Sequence, residues 1–240
     1  MATHRNGSTG DLEKGEIRAT SPHQALGNNA VLPVTYAQAV RPSRIGNPGA
    51  LGLFSFASTT LILSLYNIQT RGITHPNVVV GMAIFCGGLA QLLAGMWEFP
   101  RGNVFGGTAF TSYGAFWMSY ATILIPGSGV GAAYTESPDS EFQSAVAIYL
   151  ITWFLVTFFL LIAALRKNIG FITLFAFLAA TFLLLAIGEF ANSLGTTKAG
   201  GVIGVVTAFI AYYVGLSELL AAEDMAVARL PLGIFNKRVN

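Results

Sequence analysis

The stretch NPGALGLFSF, residues 47–56, stands where a polar N-terminal region gives way to the first long apolar segment. Asn47 is a favoured helix N-cap residue, and Pro48 suits the first helical position, where its missing N–H costs no hydrogen bond. The small residues that follow add little bulk, so the backbone N–H groups of the first turn stay accessible and could bind a carboxylate. The stretch therefore predicts a sharply started, buried helix, in which the small residues either pack against a neighbouring helix or leave the first turn open to an anion.

The composition is that of a membrane protein. Of the 240 residues, 53% are hydrophobic and only 10% are charged, whereas soluble domains carry about 25% charged residues. The net charge of +2 is too small to indicate a nucleic-acid partner. The single cysteine, Cys86, excludes an internal disulfide, and the histidines at positions 4, 23 and 75 fall outside the apolar segments. We therefore expect no enzyme, no cofactor and no metal site.

Six apolar blocks are each long enough for the roughly 20 residues that a helix needs to cross the hydrocarbon layer. They predict an all-α integral membrane protein with six transmembrane helices, at residues 48–68, 77–97, 104–125, 144–165, 169–188 and 199–220. The predicted domains are a polar, disordered N-terminal tail, a six-helix transmembrane domain and a short C-terminal tail, at residues 1–43, 44–223 and 224–240.

The basic residues orient these helices. Six spans place both termini on one side of the membrane, and that side carries most of the basic residues: Arg41, Arg44, Arg101, Arg166, Lys167, Arg229, Lys237 and Arg238. The other side has only Arg71 and Lys198. Because loops rich in Lys and Arg remain in the cytoplasm, both termini are predicted to be cytoplasmic.

Four polar side chains fall within or at the ends of the apolar blocks, where burial is costly unless a partner is present. Gln91 lies about two helical turns inside the second block and needs a hydroxyl, a carbonyl or a bound solute as its partner. Glu98, Glu189 and Glu218 lie near the ends of their blocks, where water can solvate a carboxylate. A proton-handling role and a simple interfacial position both remain open for these three residues.

Three parts of the sequence resemble one known family. The opening stretch is similar to the signature Asn-Pro-Ala-Pro-Leu-Gly-Leu-x-x-Phe of the acetate uptake transporters, which include bacterial succinate–acetate permeases and fungal acetate or ammonia-export proteins. The stretch GMAIFCGGLAQLLAGMWEFPRGNVFGGTAFTSYGAFW, residues 81–117, and LLAIGEFANS, residues 184–193, resemble later parts of the same family. Ala50 replaces the second proline of the signature, whereas Leu51 and Gly52 are retained. The polar N-terminal tail resembles that of the fungal members.

The resemblance implies a ring-shaped homo-hexamer in the plasma membrane, in which each protomer has its own pore. It also implies an apolar constriction at Phe56, Tyr113 and Leu178. The mouth of the pore would then lie at the start of the first helix, with Asn47, Pro48, Gly49, Leu51 and Gly52.

Short monocarboxylates such as acetate are the substrates that the resemblance implies, with succinate as a larger candidate. An apolar ring suits the methyl group of acetate. Polar groups nearby would replace some of the carboxylate's hydration: the Tyr113 hydroxyl, Gln91, Thr111 and Ser112. A carboxylic acid with a pKa near that of Asp or Glu is only roughly 0.1–0.3% protonated at pH 7, and desolvating its anion is costly. We therefore expect a transporter or channel favoured by acidic pH, with Glu98 and Glu189 as proton-handling candidates.

Two other functions stay open. An ammonia or ammonium exporter would need aromatic groups facing a cation, and Tyr113, Trp117 and Tyr120 lie at helical spacing on the third predicted helix. A non-transporting acetate sensor would bind the same anion without flux.

Overall fold

The computed structural model describes residues 45–136, 138, 140–233 and 235. Within this part of the chain, six helices have 19 residues or more. They are α1 (Gly49–Asn67), α2 (Val79–Glu98), α3 (Val104–Leu124), α4 (Glu141–Ala164), α5 (Ile169–Phe190) and α6 (Leu194–Ala222). Short 3-10 turns lie at Thr70–Gly72, Pro126–Ser128 and Ala132–Tyr134. The tail predicted at residues 1–43 lies outside the described residues.

The six predicted blocks coincide with these helices, and most of their ends differ by three residues or fewer. The predicted start of the last helix, Ala199, is wrong, because α6 begins at Leu194. The Ser193 hydroxyl accepts a hydrogen bond from the backbone N–H of Thr196 at 3.4 Å. This side-chain cap starts the helix earlier than its apolar pattern indicates.

Five of the long helices in the described chain (α1, α2, α4, α5 and α6) are long and apolar enough to cross a membrane. α3 has 21 residues, but glycine, serine, threonine and tyrosine make up much of its sequence and lower its hydropathy. Its small residues permit close packing against α2, since Gly114 faces Leu92 and Gly95 of α2 faces Thr111. The small residues of α3 that face α2 therefore reflect close packing between these two helices.

The helices pack as a bundle with an apolar surface. α1 packs chiefly against α6, α5 lies between α4 and α6, and α3 lies against α2. Large apolar side chains remain exposed on the outer faces, among them Phe85 on α2, Phe159 on α4 and Phe209 on α6. Helices that are apolar on their outer faces as well as their inner ones are typical of membrane proteins.

The middle of α2 is wider than an α-helix. Residues Met82–Ala90 form a π-helix between α-helical ends, and such segments are rare and frequent at functional sites. A Cβ atom at Gly87 would lie 2.7–2.8 Å from atoms of Thr59 and Trp117, so α2 approaches α1 and α3 closely here. The apolar pattern predicts an uninterrupted helix. The adjacent residues Gly87 and Gly88 are the local feature of the sequence that indicates the irregularity.

The chain after α6 folds back on the bundle. We call residues 230–233 the tail segment. Its last two carbonyls accept hydrogen bonds from the backbone N–H groups of Ile169 and Gly170, both at 3.1 Å. The Ser217 and Tyr213 hydroxyls donate to its first two carbonyls, both at 2.8 Å. The tail segment thus satisfies N–H groups at the start of α5 that have no partner within that helix.

Replacing Gly114 by alanine should destabilise the bundle. The new Cβ would lie 2.6 Å from Leu92 Cβ and 2.7 Å from its backbone N, so α2 and α3 would have to separate, and overpacking of this kind costs about 1–3 kcal/mol. We expect a lower Tm for the detergent-purified variant. Gly81→Ala is the matched control, because nothing lies within 4 Å of its Cβ position. Equal Tm values for the two variants would contradict this close contact.

Candidate functional site

A cavity of about 480 Å³ opens at one end of the bundle, where the starts of α1, α3 and α5 meet the ends of α2 and α6. We call this open end the mouth. Polar residues around the mouth are Asn47, Glu98, Arg101, Lys167, Asn168 and Glu218. The inner end is lined by Phe56, Gln91, Tyr113, Phe175 and Leu178.

The Asn47 side chain is the centre of the hydrogen-bond network at the mouth. Its amide oxygen accepts from the backbone N–H of Gly49 at 3.0 Å and from Arg101 Nη1 at 2.7 Å. Its amide nitrogen donates to Glu218 Oε2 at 2.8 Å. Asn47 therefore satisfies an N–H group at the start of α1 and also joins α1 to Arg101 and to the end of α6.

Glu98 forms the charged wall beside Asn47. It is 1% exposed, and its Oε2 atom lies 2.9 Å from Arg101 Nη1. The cation compensates a carboxylate that would otherwise be buried without a partner. On another side of the mouth, the Lys167 ammonium lies 4.5 Å from the centroid of the Phe105 ring. Two cations therefore face the space that a solute would enter.

The three residues predicted to form a constriction lie together at the inner end. Phe56, Tyr113 and Leu178 all line the cavity and are all buried. Each lies seven to nine residues beyond the first residue of its helix, so the ring is about two helical turns from the mouth. The centroids of the Phe56 and Tyr113 rings are 5.6 Å apart. The structure thus brings these residues to one apolar level, between α1, α3 and α5.

The Tyr113 hydroxyl has a defined donor direction. It lies 2.9 Å from Thr157 Oγ1 on α4, and the Thr157 hydroxyl donates to the Trp153 carbonyl at 2.7 Å. Since a threonine hydroxyl has one proton, Tyr113 is the donor in its bond with Thr157. Tyr113 can therefore offer a lone pair to a solute, but not a proton. This arrangement favours a solute that carries a proton, such as a neutral carboxylic acid, over a bare carboxylate.

Gln91 is an unpartnered amide in the cavity wall. It is 0% exposed, and neither its Oε1 nor its Nε2 atom has a hydrogen-bond partner among the described residues. A buried polar group without a partner costs about 1–3 kcal/mol. Gln91 follows directly after the π-helical part of α2. Its amide is therefore available to a solute that enters the cavity.

Several predicted residues do not line the cavity. Leu51 is 52% exposed on the outer face of α1, and Gly52 packs against an aromatic ring of α3. Thr111 faces α2, and its hydroxyl has no partner in the described chain. Ser112 is half-buried and does not line the cavity. Pro48 does not line it either, and its carbonyl accepts a hydrogen bond from the backbone N–H of Gly52 at 3.0 Å.

The three carboxylates singled out in the sequence are not equivalent. Glu189 lies near the end of α5, away from the mouth, and does not line the cavity. Glu98 and Glu218 do line it. The sequence leaves a proton-handling role and an interfacial position open for Glu218, because its bond to Asn47 joins residues 171 positions apart and has no local signal. In the part of the chain described here, no group of three or more His, Cys, Asp or Glu side chains could hold a metal ion.

Comparison with known proteins identifies the family. Residues 29–233 match the model of the GPR1/FUN34/yaaH family. The chain is 49% identical over 191 residues to ammonia transport outward protein 2 of Saccharomyces cerevisiae, with 80% of this chain and 67% of that protein covered. It is 35% identical over 192 residues to the succinate-acetate/proton symporter SatP of Escherichia coli K12, with 80% and 97% covered. The chain thus spans about two thirds of the length of the yeast relative.

A solved structure supports the same family assignment. The structure of the bacterial acetate channel SatP matches with a TM-score of 0.68 and 33% identity, over 78% of this chain and 100% of that one. The resemblance to acetate uptake transporters is therefore confirmed. The chain belongs to the GPR1/FUN34/yaaH family of helical membrane proteins.

Proposed function

We propose that the protein is a membrane transporter or channel for acetate and other short monocarboxylates, with succinate as a larger candidate substrate. One observation carries the proposal: a single cavity combines a mouth lined by two cations and two carboxylates with an inner end that is apolar apart from an unpartnered amide and a tyrosine hydroxyl. The Lys167 ammonium forms no ion pair among the described residues and can attract a carboxylate, and the apolar ring accommodates its methyl group. The names of the SatP relatives support this substrate class. The proposal assigns no chemical reaction to the protein.

The constriction at Phe56, Tyr113 and Leu178 favours transport at acidic pH. An anion would lose its hydration at this apolar level, which is costly, and Tyr113 has no proton to offer it. A neutral acid would instead donate its own proton to the Tyr113 oxygen. Transport therefore proceeds as neutral acid or as anion with a proton, which agrees with the symporter named among the relatives.

The membrane arrangement follows from the same family. We propose that all six long helices cross the plasma membrane, with α3 as the span shielded from lipid by its neighbours. Both termini and the mouth of the cavity then face the cytoplasm, where the positive-inside rule places Arg101 and Lys167. In this proposal the protein is a ring-shaped homo-hexamer with one pore in each protomer.

Glu98 and Glu189 stay candidates for handling the proton. Of these two, Glu98 lines the cavity, where it is held in an ion pair with Arg101. Glu189 would act near the other end of the path. The mouth residues Asn47 and Gly49 line the cavity and would be the first to contact a substrate that enters from the mouth.

Export of ammonia or ammonium is the second candidate function. The lone pair that Tyr113 presents suits an N–H donor as well as a carboxylic acid, and the yeast relative is named an ammonia transport outward protein. A change of vesicle pH driven by ammonium, without protein-dependent acetate uptake, would favour this function. Acetate binding without flux of either solute would indicate a sensor.

Removing the Phe56 ring should widen the constriction. We expect Phe56→Ala to lower the preference for acetate over succinate by about 10-fold, measured as uptake of both labelled acids into proteoliposomes at acidic pH. Phe85→Ala is the matched control, because Phe85 is exposed on the outer face of α2, and it should retain the native preference. Native preference in Phe56→Ala would exclude Phe56 from the constriction.

Replacing Gln91 by leucine should raise the stability of the protein and lower its transport of acetate. Gln91→Leu removes a buried amide without a partner, so the free energy of unfolding should rise by about 1–3 kcal/mol, whereas acetate uptake should fall. Thermal unfolding and proteoliposome uptake measure the two effects. Thr60→Val is the control, because Thr60 Oγ1 is also buried without a partner but does not line the cavity. Thr60→Val should be stabilised with native uptake; native uptake in Gln91→Leu would contradict the substrate contact.

A further inference from the structure

The charged residues that line the cavity are balanced. Arg101 and Lys167 carry positive charge and Glu98 and Glu218 carry negative charge, so the lining has a formal charge of zero when both carboxylates are ionised. Addition of one proton would make this charge +1, and an entering carboxylate would return it to zero. A proton and a monocarboxylate can therefore bind together without leaving a net charge in the cavity.

The two carboxylates differ in their partners. Glu98 is held by the Arg101 guanidinium at 2.9 Å. Glu218 is held by a neutral group, the Asn47 amide, at 2.8 Å, and forms no ion pair within the described residues. Glu218 is also less deeply buried than Glu98. Of the two, Glu218 is the carboxylate that a solution proton can reach without displacing a cation.

The segments around Glu218 differ in the charged groups that they carry. The end of α2 contributes Glu98 and the turn after it contributes Arg101, and the residues just before α5 contribute Lys167. The start of α1 contributes only neutral groups among its described residues. Beyond α6 lie the exposed residues Glu223, Asp224 and Arg229. The hydrogen bonds of Arg101 go to Asn47 and Glu98. The hydrogen-bond partner of Glu218 is therefore the neutral Asn47 amide and not the guanidinium.

The orientation of the Asn47 amide is set by its other partners. Its oxygen accepts from both Gly49 N and Arg101 Nη1, so its NH₂ group must be directed to Glu218. A hydrogen bond to a carboxylate is roughly twice as strong as one between neutral groups. Protonation of Glu218 would weaken this bond and allow the Asn47 NH₂ group to bind a substrate carboxylate instead.

We propose that Glu218 is the proton donor of the transport cycle, an inference that rests on the proposed function. A solution proton binds a Glu218 carboxylate oxygen, and the Asn47 NH₂ group then holds the incoming carboxylate beside it. Transfer of that proton to a carboxylate oxygen of the substrate yields the neutral acid and an ionised Glu218, which returns to Asn47. The neutral acid moves on to the constriction, where the Tyr113 oxygen accepts its proton in a hydrogen bond.

Uptake of labelled acetate by proteoliposomes tests this role. Proteoliposomes with the mouth facing outward are used, the pH outside them is set from 5 to 7.5, and the rates are corrected for empty liposomes. Glu218→Gln should show no acid stimulation: at acidic pH its maximal rate should fall by about 10-fold while its KM for acetate does not rise. Glu223→Gln, which alters an exposed carboxylate after α6, should keep the native pH profile. Glu98→Gln should retain acid stimulation, because its carboxylate is not the donor.

A second pair of variants separates loss of the titratable group from loss of folding. The elution profile and the Tm of each variant show whether it is folded. Glu218→Asp keeps a titratable group and should keep acid stimulation, whereas Glu218→Asn, of equal size, should lose it. Native acid stimulation in Glu218→Gln or Glu218→Asn, or its loss in Glu98→Gln alone, would overturn the role of Glu218 and leave the proposed function intact. No acetate flux by the native protein above empty liposomes would instead overturn the proposed function and this inference with it.

Discussion

The amide of Asn47 is the interaction on which the mouth of the cavity depends. It joins the first turn of α1 to Arg101, after α2, and to Glu218, near the end of α6. Through Arg101 it also sets the position of the buried carboxylate of Glu98. Three parts of the chain that are far apart in sequence thus meet at one side chain. The same side chain caps a helix, so the position of α1 and the charge arrangement at the mouth cannot change independently.

Local patterns explain how much of this arrangement the sequence could predict. Six apolar blocks locate six helices, and Asn-Pro marks the start of α1, because spans and caps depend on residues close together in the chain. The start of α6 depends on a single hydroxyl, that of Ser193, and was missed. The bond between Asn47 and Glu218 has no local signal, since 171 positions separate the partners. For that reason the sequence alone leaves open whether Glu218 lies at an interface or in the site.

At the constriction, too, the sequence indicates individual residues but not the direction of their hydrogen bonds. The family motifs indicated Phe56 and Tyr113, and the depth of Gln91 in its apolar block indicated that its amide needs a partner. The direction of the Tyr113 proton depends on Thr157 and the carbonyl of Trp153 on α4, which no motif connects to α3. The sequence could therefore indicate three of the side chains that line the cavity, but not whether the tyrosine gives or accepts a proton.

The tail segment has a consequence for the synthesis of the protein. Residues 230–233 follow the six long helices of the described chain, yet two of their carbonyls satisfy the first N–H groups of α5. A ribosome-bound chain can complete these six helices while the start of α5 still lacks its partners. Completion of the bundle next to the cavity must therefore wait until the tail segment emerges and docks. A chain that stops before residue 230 would carry the same six helices and still lack this contact.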